Sequence, residues 1–290
     1  MKNLESNTMK YETTDIDVPK AMADLNRILV ESFSCELHQR YFLLAHTLAP
    51  LLSPFTKTKA IVHCEGNMCA GKTTAARLVG FLMNGYDPIN RVSIAGLYAQ
   101  SKKSSLVVFD EIENRHLQGD LLNFLLMAST GAGYTKRVKG QKDVEEKLNT
   151  TVWLSSIEPI EVPELLARTF VIKFDKKYLR KDAEFMDDLI AEALEKRGEI
   201  LAAISQVLER EVIPTIKHRQ EAWLDYIRQT FPKHSKYKMD EYTATLMCLI
   251  CPLLDYLPLP KREADLISGG VSHADYILDK WLTYQDAIAR

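Results

Sequence analysis

In the stretch "CEGNMCAGKTT", Cys64 to Thr74, the residues Gly66, Gly71, Lys72 and Thr73 have the spacing glycine, four residues, glycine, lysine, hydroxyl residue. That spacing suits the phosphates of a nucleoside triphosphate. Glycines let a backbone curl closely enough for its N–H groups to face phosphate oxygens, and the helix that follows adds its positive N-terminus. Lys72 would reach the β- and γ-phosphates, and the Thr73 hydroxyl would be a ligand for Mg²⁺. Gly66, Asn67, Ala70, Gly71, Lys72, Thr73 and Thr74 are the candidate nucleotide contacts.

A second constellation is "SLVVFDE", an apolar run from Leu106 to Phe109 that ends in Asp110 and Glu111. Two acids at the carboxyl end of a buried strand lie where open α/β sheets bind ligands. In nucleotide hydrolysis Asp110 would hold Mg²⁺, and Glu111 would orient or polarise the attacking water.

A third is the polar segment "TGAGYTKRVKGQKDVEEKLN", in which Lys136, Arg137, Lys139 and Lys142 crowd around Gly140. Tyr134, Thr135, Arg137 and Val138 before Lys139-Gly140 predict a hairpin with a basic tip. Asp143, Glu145 and Glu146 follow at once, so a simply solvated charge run is the competing reading.

These groups need elements to place them. The phosphate loop requires a strand before it and a helix after it. "AIVHC", Ala60 to Cys64, is short, apolar and partly β-branched, as a buried parallel strand should be. "TTAARLVGFLMNG" carries Ala76, Val79, Leu82 and Met83 at helical spacing and stops at Gly85. "TTVWLSS", Thr150 to Ser156, and "RTFVIKF", Arg168 to Phe174, read as further strands, with "IEPIEVPELLA" as a turn and short helix between them.

Together these motifs resemble the AAA+ class of P-loop ATPases, and within it the superfamily 3 helicases of small DNA viruses and the related phage and plasmid primase-helicases. The resemblance covers about residues 59 to 174 and rests on "GNMCAGKTT", "SLVVFDE", "GAGYTKRVKG", "TTVWLSS" and "VPELLARTFVIKF". It implies ATP and Mg²⁺ as ligands, single-stranded DNA as a partner and assembly into a homo-oligomeric ring of six. The chain shows no recognisable primase, nuclease or sequence-specific DNA-binding module, so a replication partner protein, or the ends of the chain, would choose the substrate. By position the resemblance implies that Lys139 is the pore-hairpin lysine, with Lys136 and Arg137 beside it on the nucleic acid. It makes Arg168 an arginine finger acting on a neighbour's ATP, and Ser155 or Ser156 the polar sensor. That family usually has asparagine at the sensor, and Asn149 sits at the wrong end of its strand to replace it. Two other readings stay open: a nucleotide-dependent switch or protein-remodelling ATPase, and a small-molecule kinase.

The rest of the chain bounds these expectations. Its 290 residues are 46% hydrophobic and 26% charged, ordinary globular values that exclude a disordered or fibrous chain. The formal charge of −2 excludes wholesale attraction to nucleic acid but permits a local basic patch. No apolar run approaches the roughly 20 residues that span a bilayer, the polar start is no secretory signal, and five cysteines form no disulfide framework, so the expected setting is intracellular and cytoplasmic. Cys248 and Cys251 have a metal-like spacing but lie in the apolar "TLMCLICPLL" without a second pair, which predicts a buried structural role. The expected fold is α/β, a P-loop NTPase sheet over residues 56–178, flanked by a helical region at 1–55 and another at 179–290.

Overall fold

The structure, a computed structural model, describes residues 16–56, 58–88, 94–101, 104, 106–136, 144–148, 150–180, 186–232, 239–257 and 272–289. Four parallel strands form its centre: β1 (Ile61–Glu65), β2 (Leu106–Phe109), β5 (Thr151–Ser156) and β6 (Thr169–Lys173). Their spatial order is β2-β5-β1-β6. β5, the last but one in sequence, is thus inserted between the strand that enters the phosphate loop and the strand that ends in the acid pair. Register is direct, with Glu65 beside Ser156 on one side and beside Lys173 on the other.

Alternation along the strands divides the interior into two cores. Val62, Cys64, Val108, Trp153, Phe170 and Ile172 face one core, and Ile61, Val107, Val152 and Leu154 face the other. The apolar runs contain no polar alternation because both sheet faces are covered, as parallel sheets require. On the second face lie α4 (Ile94–Ser101), α5 (Gly119–Thr130) and α6 (Pro163–Leu166). The first face carries α1 (Val18–Ile28), α2 (Leu37–Leu48), α3 (Lys72–Asn84), α7 (Met186–Val207), α8 (Ile216–Thr230), α9 (Asp240–Leu254) and α10 (His273–Ala289). The helical segments before and after the sheet region therefore share one core with the sheet: Phe42 of α2 stacks on Trp281 of α10 at 4.2 Å, and Trp281 meets Phe170 of β6 edge-on.

The helical region expected before the sheet, residues 1–55, is interrupted between α1 and α2. Asp17 caps α1 by accepting from Lys20 N–H at 3.0 Å. The chain then leaves the helix between Leu29 and Glu36, where Ser32 returns its hydroxyl to Ile28 C=O and Phe33 is fully buried near Trp153. A similar economy governs the end of α3, which Gly85 closes in the left-handed conformation. There the Arg197 guanidinium of α7 donates to Leu82 C=O at 2.8 Å and Met83 C=O at 3.0 Å. Cation and helix C-terminus attract, so α7 is tied to the helix that starts at the phosphate loop.

The outer edge of β6 is covered by side chains. Gln285 of α10 accepts from Val171 N–H and donates to Val171 C=O at 2.9 Å, while Gln39 of α2 accepts from Lys173 N–H at 2.9 Å. Cys248 and Cys251 lie in α9 against the first core, and burial pushes both thiols up to about 12. Among the described residues no helix is long and apolar enough to cross a membrane.

Candidate active site

β1 ends at Glu65, and the chain turns through Gly66 to Gly71 into α3. Two positions in that turn demand glycine. A Cβ on Gly66 would stand 2.4 Å from Phe174 C=O, and Gly71 has φ +89° with Ser34 Oγ 2.7 Å from where its Cβ would be. Cys69 is also left-handed, at φ +60°. Gly71 is the N-cap of α3, and no side chain among the described residues caps that end, so its first-turn N–H groups are left for an anion.

Lys72 is largely buried, 9% exposed, and folds back into the loop. Its ammonium donates to Gly66 C=O at 2.5 Å and to Asn67 C=O at 3.0 Å. The loop is thereby wrapped around the cation that phosphate oxygens would take over. Ala70 is buried and bonds back to Asn67 C=O, whereas Asn67 is exposed and Thr74 half-buried.

The acid pair arrives from β2, one strand further across the sheet. Asp110 is held on both oxygens: Thr73 Oγ1 donates to Oδ2 at 2.9 Å, and Ser155 Oγ donates to Oδ1. Ser155 Oγ also accepts from Glu111 N–H at 3.3 Å, and Ser155 C=O accepts from Ile112 N–H at 2.8 Å. These bonds bend the backbone at Glu111 into φ +54°, an uncommon conformation for a non-glycine residue, and leave its carboxylate exposed. A hard hydroxyl and a hard carboxylate oxygen in mutual contact are a donor set that fits Mg²⁺, which prefers oxygen and needs few protein ligands when phosphate supplies others.

Ser155 and Ser156 point to opposite faces of β5. Ser156 Oγ donates to Glu158 C=O and lies 2.6 Å from His63 Nε2, inside the face covered by α5. Its hydroxyl proton is thus engaged with a loop, away from Asp110. Of the two serines read as sensor candidates, the structure brings only Ser155 to the acid pair.

Arg168 lies elsewhere. Its C=O accepts from Ile61 N–H at 2.9 Å, so it stands at the amino end of β1, with the length of the strand, roughly 13 Å, between it and the phosphate loop of its own chain. Among the described residues its guanidinium has no hydrogen bond or ion pair. It lines a groove of about 600 Å³ along α5, together with Tyr98, Asp120, Asn123, Leu126, Met127 and Thr130.

The predicted hairpin is present as β3 (Gly133–Lys136) and β4 (Val144–Lys147), antiparallel, with Lys136 opposite Val144 at the turn end. Arg137, Lys139 and Lys142, the expected tip, lie outside the described residues. So does Asn149. The hairpin's base is fixed next to the amino edge of the sheet, where Leu148 N–H donates to Ala132 C=O and Lys59 N–H to Ser129 C=O.

Two supporting groups escape motif reading. Ser34 abuts Gly71 from the break between α1 and α2, and its C=O accepts from Asp175 N–H at 2.8 Å. Asn114 ties the acid-pair loop to the loop after β5, donating to Pro159 C=O at 2.9 Å and accepting from Glu161 N–H at 3.0 Å. Nothing in the local sequence around either residue marks it.

Neither a protein-family description nor any curated protein matches the sequence. Solved structures do match. Cch of SCCmec type IV, described as an active helicase, superposes with a TM-score of 0.54 at 15% identity over 94% of this chain, and the chain spans about half of that protein, 48%. The NrS-1 C-terminal region, residues 305–718, gives 0.40 at 14% identity over 86% of this chain and 70% of that one, and JCV helicase gives 0.40 at 17% over 82% and 65%. With its four parallel strands, inserted β5 and phosphate loop, the chain has the α/β P-loop NTPase fold.

Proposed function

We propose that the protein is an ATP-hydrolysing ring motor, a helicase or translocase acting on single-stranded DNA in replication of the phage or plasmid kind. The observation that carries this reading is the placement of Arg168, a cation without a partner among the described residues, at the far end of the sheet from its own phosphate loop. A cation there serves nucleotide chemistry only on a neighbouring subunit.

In this reading Lys72, the loop backbone and the open N-terminus of α3 bind the ATP phosphates of one subunit. Thr73 and Asp110 would hold Mg²⁺, which when bound offsets phosphate charge. Glu111, its carboxylate exposed at the same edge, orients water for in-line attack, and Ser155 keeps Asp110 and the Glu111 backbone in place. Arg168 of the next subunit stabilises charge on the transferring phosphoryl group, an effect that reaches orders of magnitude in rate. The basic turn around Lys136, Arg137 and Lys139 grips the strand's phosphates without reading bases. A partner protein, or the ends of the chain, would choose the replication substrate.

The test is sizing of the protein with and without a non-hydrolysable ATP analogue and single-stranded DNA, combined with ATP turnover. Nucleotide-dependent assembly into a species of about six subunits, with turnover stimulated by single-stranded DNA, is the expected result. Turnover with no response to DNA would favour a protein-remodelling ATPase, and turnover only with a small-molecule acceptor would indicate a kinase.

A further inference from the structure

The exposed apolar side chains are not scattered evenly. Among the described residues six large ones are well exposed, and the two most exposed, Met68 at 70% and Ile157 at 58%, stand beside one another's strands at the carboxyl edge of the sheet. Met68 is at the tip of the phosphate loop after β1, and Ile157 directly follows β5, the strand paired with β1. A third, Leu179, lies against Gly71 in the same neighbourhood. None of the described residues covers Met68 or Ile157, and side chains of that size in water favour a partner when clustered.

The groove along α5 has the complementary character. Its apolar lining comes from half-buried Leu126 and Met127 with Tyr98 of α4; Tyr98 is held by an edge-on contact to Phe124 and a 3.7 Å contact to Met127 Sδ. Arg168 also lines it, with Asp120, Asn123 and Thr130 as its other polar residues. An edge that presents two apolar knobs around an anion-binding loop, with the Glu111 carboxylate exposed nearby, finds its match in a groove that pairs apolar lining with a cation free of partners among the described residues.

We infer that the groove between α4 and α5 receives Met68 and Ile157 of a second copy of this chain, seating that copy's phosphate loop against Arg168. The inference rests on the ring reading above and specifies its contact. Because knob and groove are different patches of one chain, the contact is head-to-tail and repeats from copy to copy until it closes, rather than stopping at a two-fold dimer. Met127 and Leu126 then serve as the apolar anchor of the interface, and Arg168 enters the neighbour's site as a consequence of that seating.

Cysteine pairing tests the geometry. In a Cys69→Ser background, a chain carrying both Ile157→Cys and Met127→Cys should give, under mild oxidation with a non-hydrolysable ATP analogue, a ladder of covalent oligomers. Either substitution alone should give no ladder, and a mixture of the two single variants should stop at the dimer. Independently, Met127→Glu should raise the protein concentration for half-assembly tenfold or more, with nucleotide binding by the isolated subunit unchanged. Oligomers detected by sizing without any cross-link, or assembly indifferent to Met127→Glu, would overturn the groove contact while leaving the ring reading in place. A protein that stays monomeric with the analogue at all accessible concentrations would overturn both.

Discussion

Ser155 Oγ donates its only proton to Asp110 Oδ1 and accepts from the Glu111 N–H, so one hydroxyl fixes both members of the acid pair. Ser156, one residue on, has its hydroxyl on the opposite face beside His63. Ser155→Ala should leave a carboxylate oxygen and a strained backbone amide without their partner, lowering ATP turnover about tenfold or more while nucleotide affinity changes little. Ser156→Ala should leave turnover near wild type. Steady-state kinetics of the two variants separate them, and equal loss in both would remove the special position of Ser155.

In the proposed mechanism Lys72 and Glu111 divide binding from chemistry. Lys72→Ala removes the ammonium that the loop carbonyls hold at 2.5 and 3.0 Å, and ATP binding should fall below detection. Glu111→Gln keeps size and polarity but not charge, so binding should persist while hydrolysis drops about a hundredfold or more. Wild-type turnover in Glu111→Gln would show that another group handles the water.

Mixing experiments address Arg168. The Arg168→Ala protein should bind ATP nearly normally and hydrolyse it slowly, because in the proposed ring its target lies on another copy. Combined with Lys72→Ala, it should regain measurable turnover at subunit boundaries that join an intact loop to an intact arginine. No recovery in co-assembled mixtures would count against a shared site.

The basic hairpin predicts a salt effect. Replacing Lys139 and Arg137 with Ala should weaken single-stranded DNA binding and flatten the dependence of log affinity on log salt by about 0.7 for each phosphate left without its cation. Basal ATP hydrolysis should largely survive, since the hairpin base sits at the sheet edge away from the phosphate loop. Unchanged, equally salt-sensitive binding would remove the hairpin from the DNA path.

Acid should destabilise the fold through buried imidazoles. His46 Nδ1 and the Tyr242 hydroxyl share a hydrogen bond at 2.7 Å, and burial holds the His46 pKa down to about 3; burial likewise holds His38 down to about 4. In the unfolded chain both take up protons near pH 6.5, so between about pH 6.5 and 4 the unfolded state binds more protons and stability falls as pH drops. Each contributes a slope of up to about 1.4 kcal/mol per pH unit. Denaturant midpoints measured across that range should show a shallower slope in His46→Gln than in wild type.

What could be read from the chain follows from how local each signal is. The phosphate loop, α3 and the strand ending in Asp110 are local patterns, in which glycine, apolar spacing and acids carry their meaning within a dozen residues. The position of β5 between β1 and β2 is not local, since nothing in "TTVWLSS" states which strands flank it. For the same reason the choice between Ser155 and Ser156 could not be made, because adjacent strand residues differ only in the face they take, which register decides. Ser34 and Asn114 act across 37 and 45 or more residues, a separation at which sequence spacing says nothing. The hairpin was legible as a pair of strands around Gly140, though its tip lies outside the described residues.

Gln285 answers both backbone groups of Val171 with one amide, as a neighbouring strand would. The last helix is therefore a lid on a templating surface: without α10, β6 would offer unsatisfied N–H and C=O groups to any extended chain. A protein clipped before residue 273 should be prone to β-type aggregation, and its thioflavin signal should rise on incubation even if the phosphate loop is untouched. The glutamine thus protects colloidal behaviour at a place far from any chemistry.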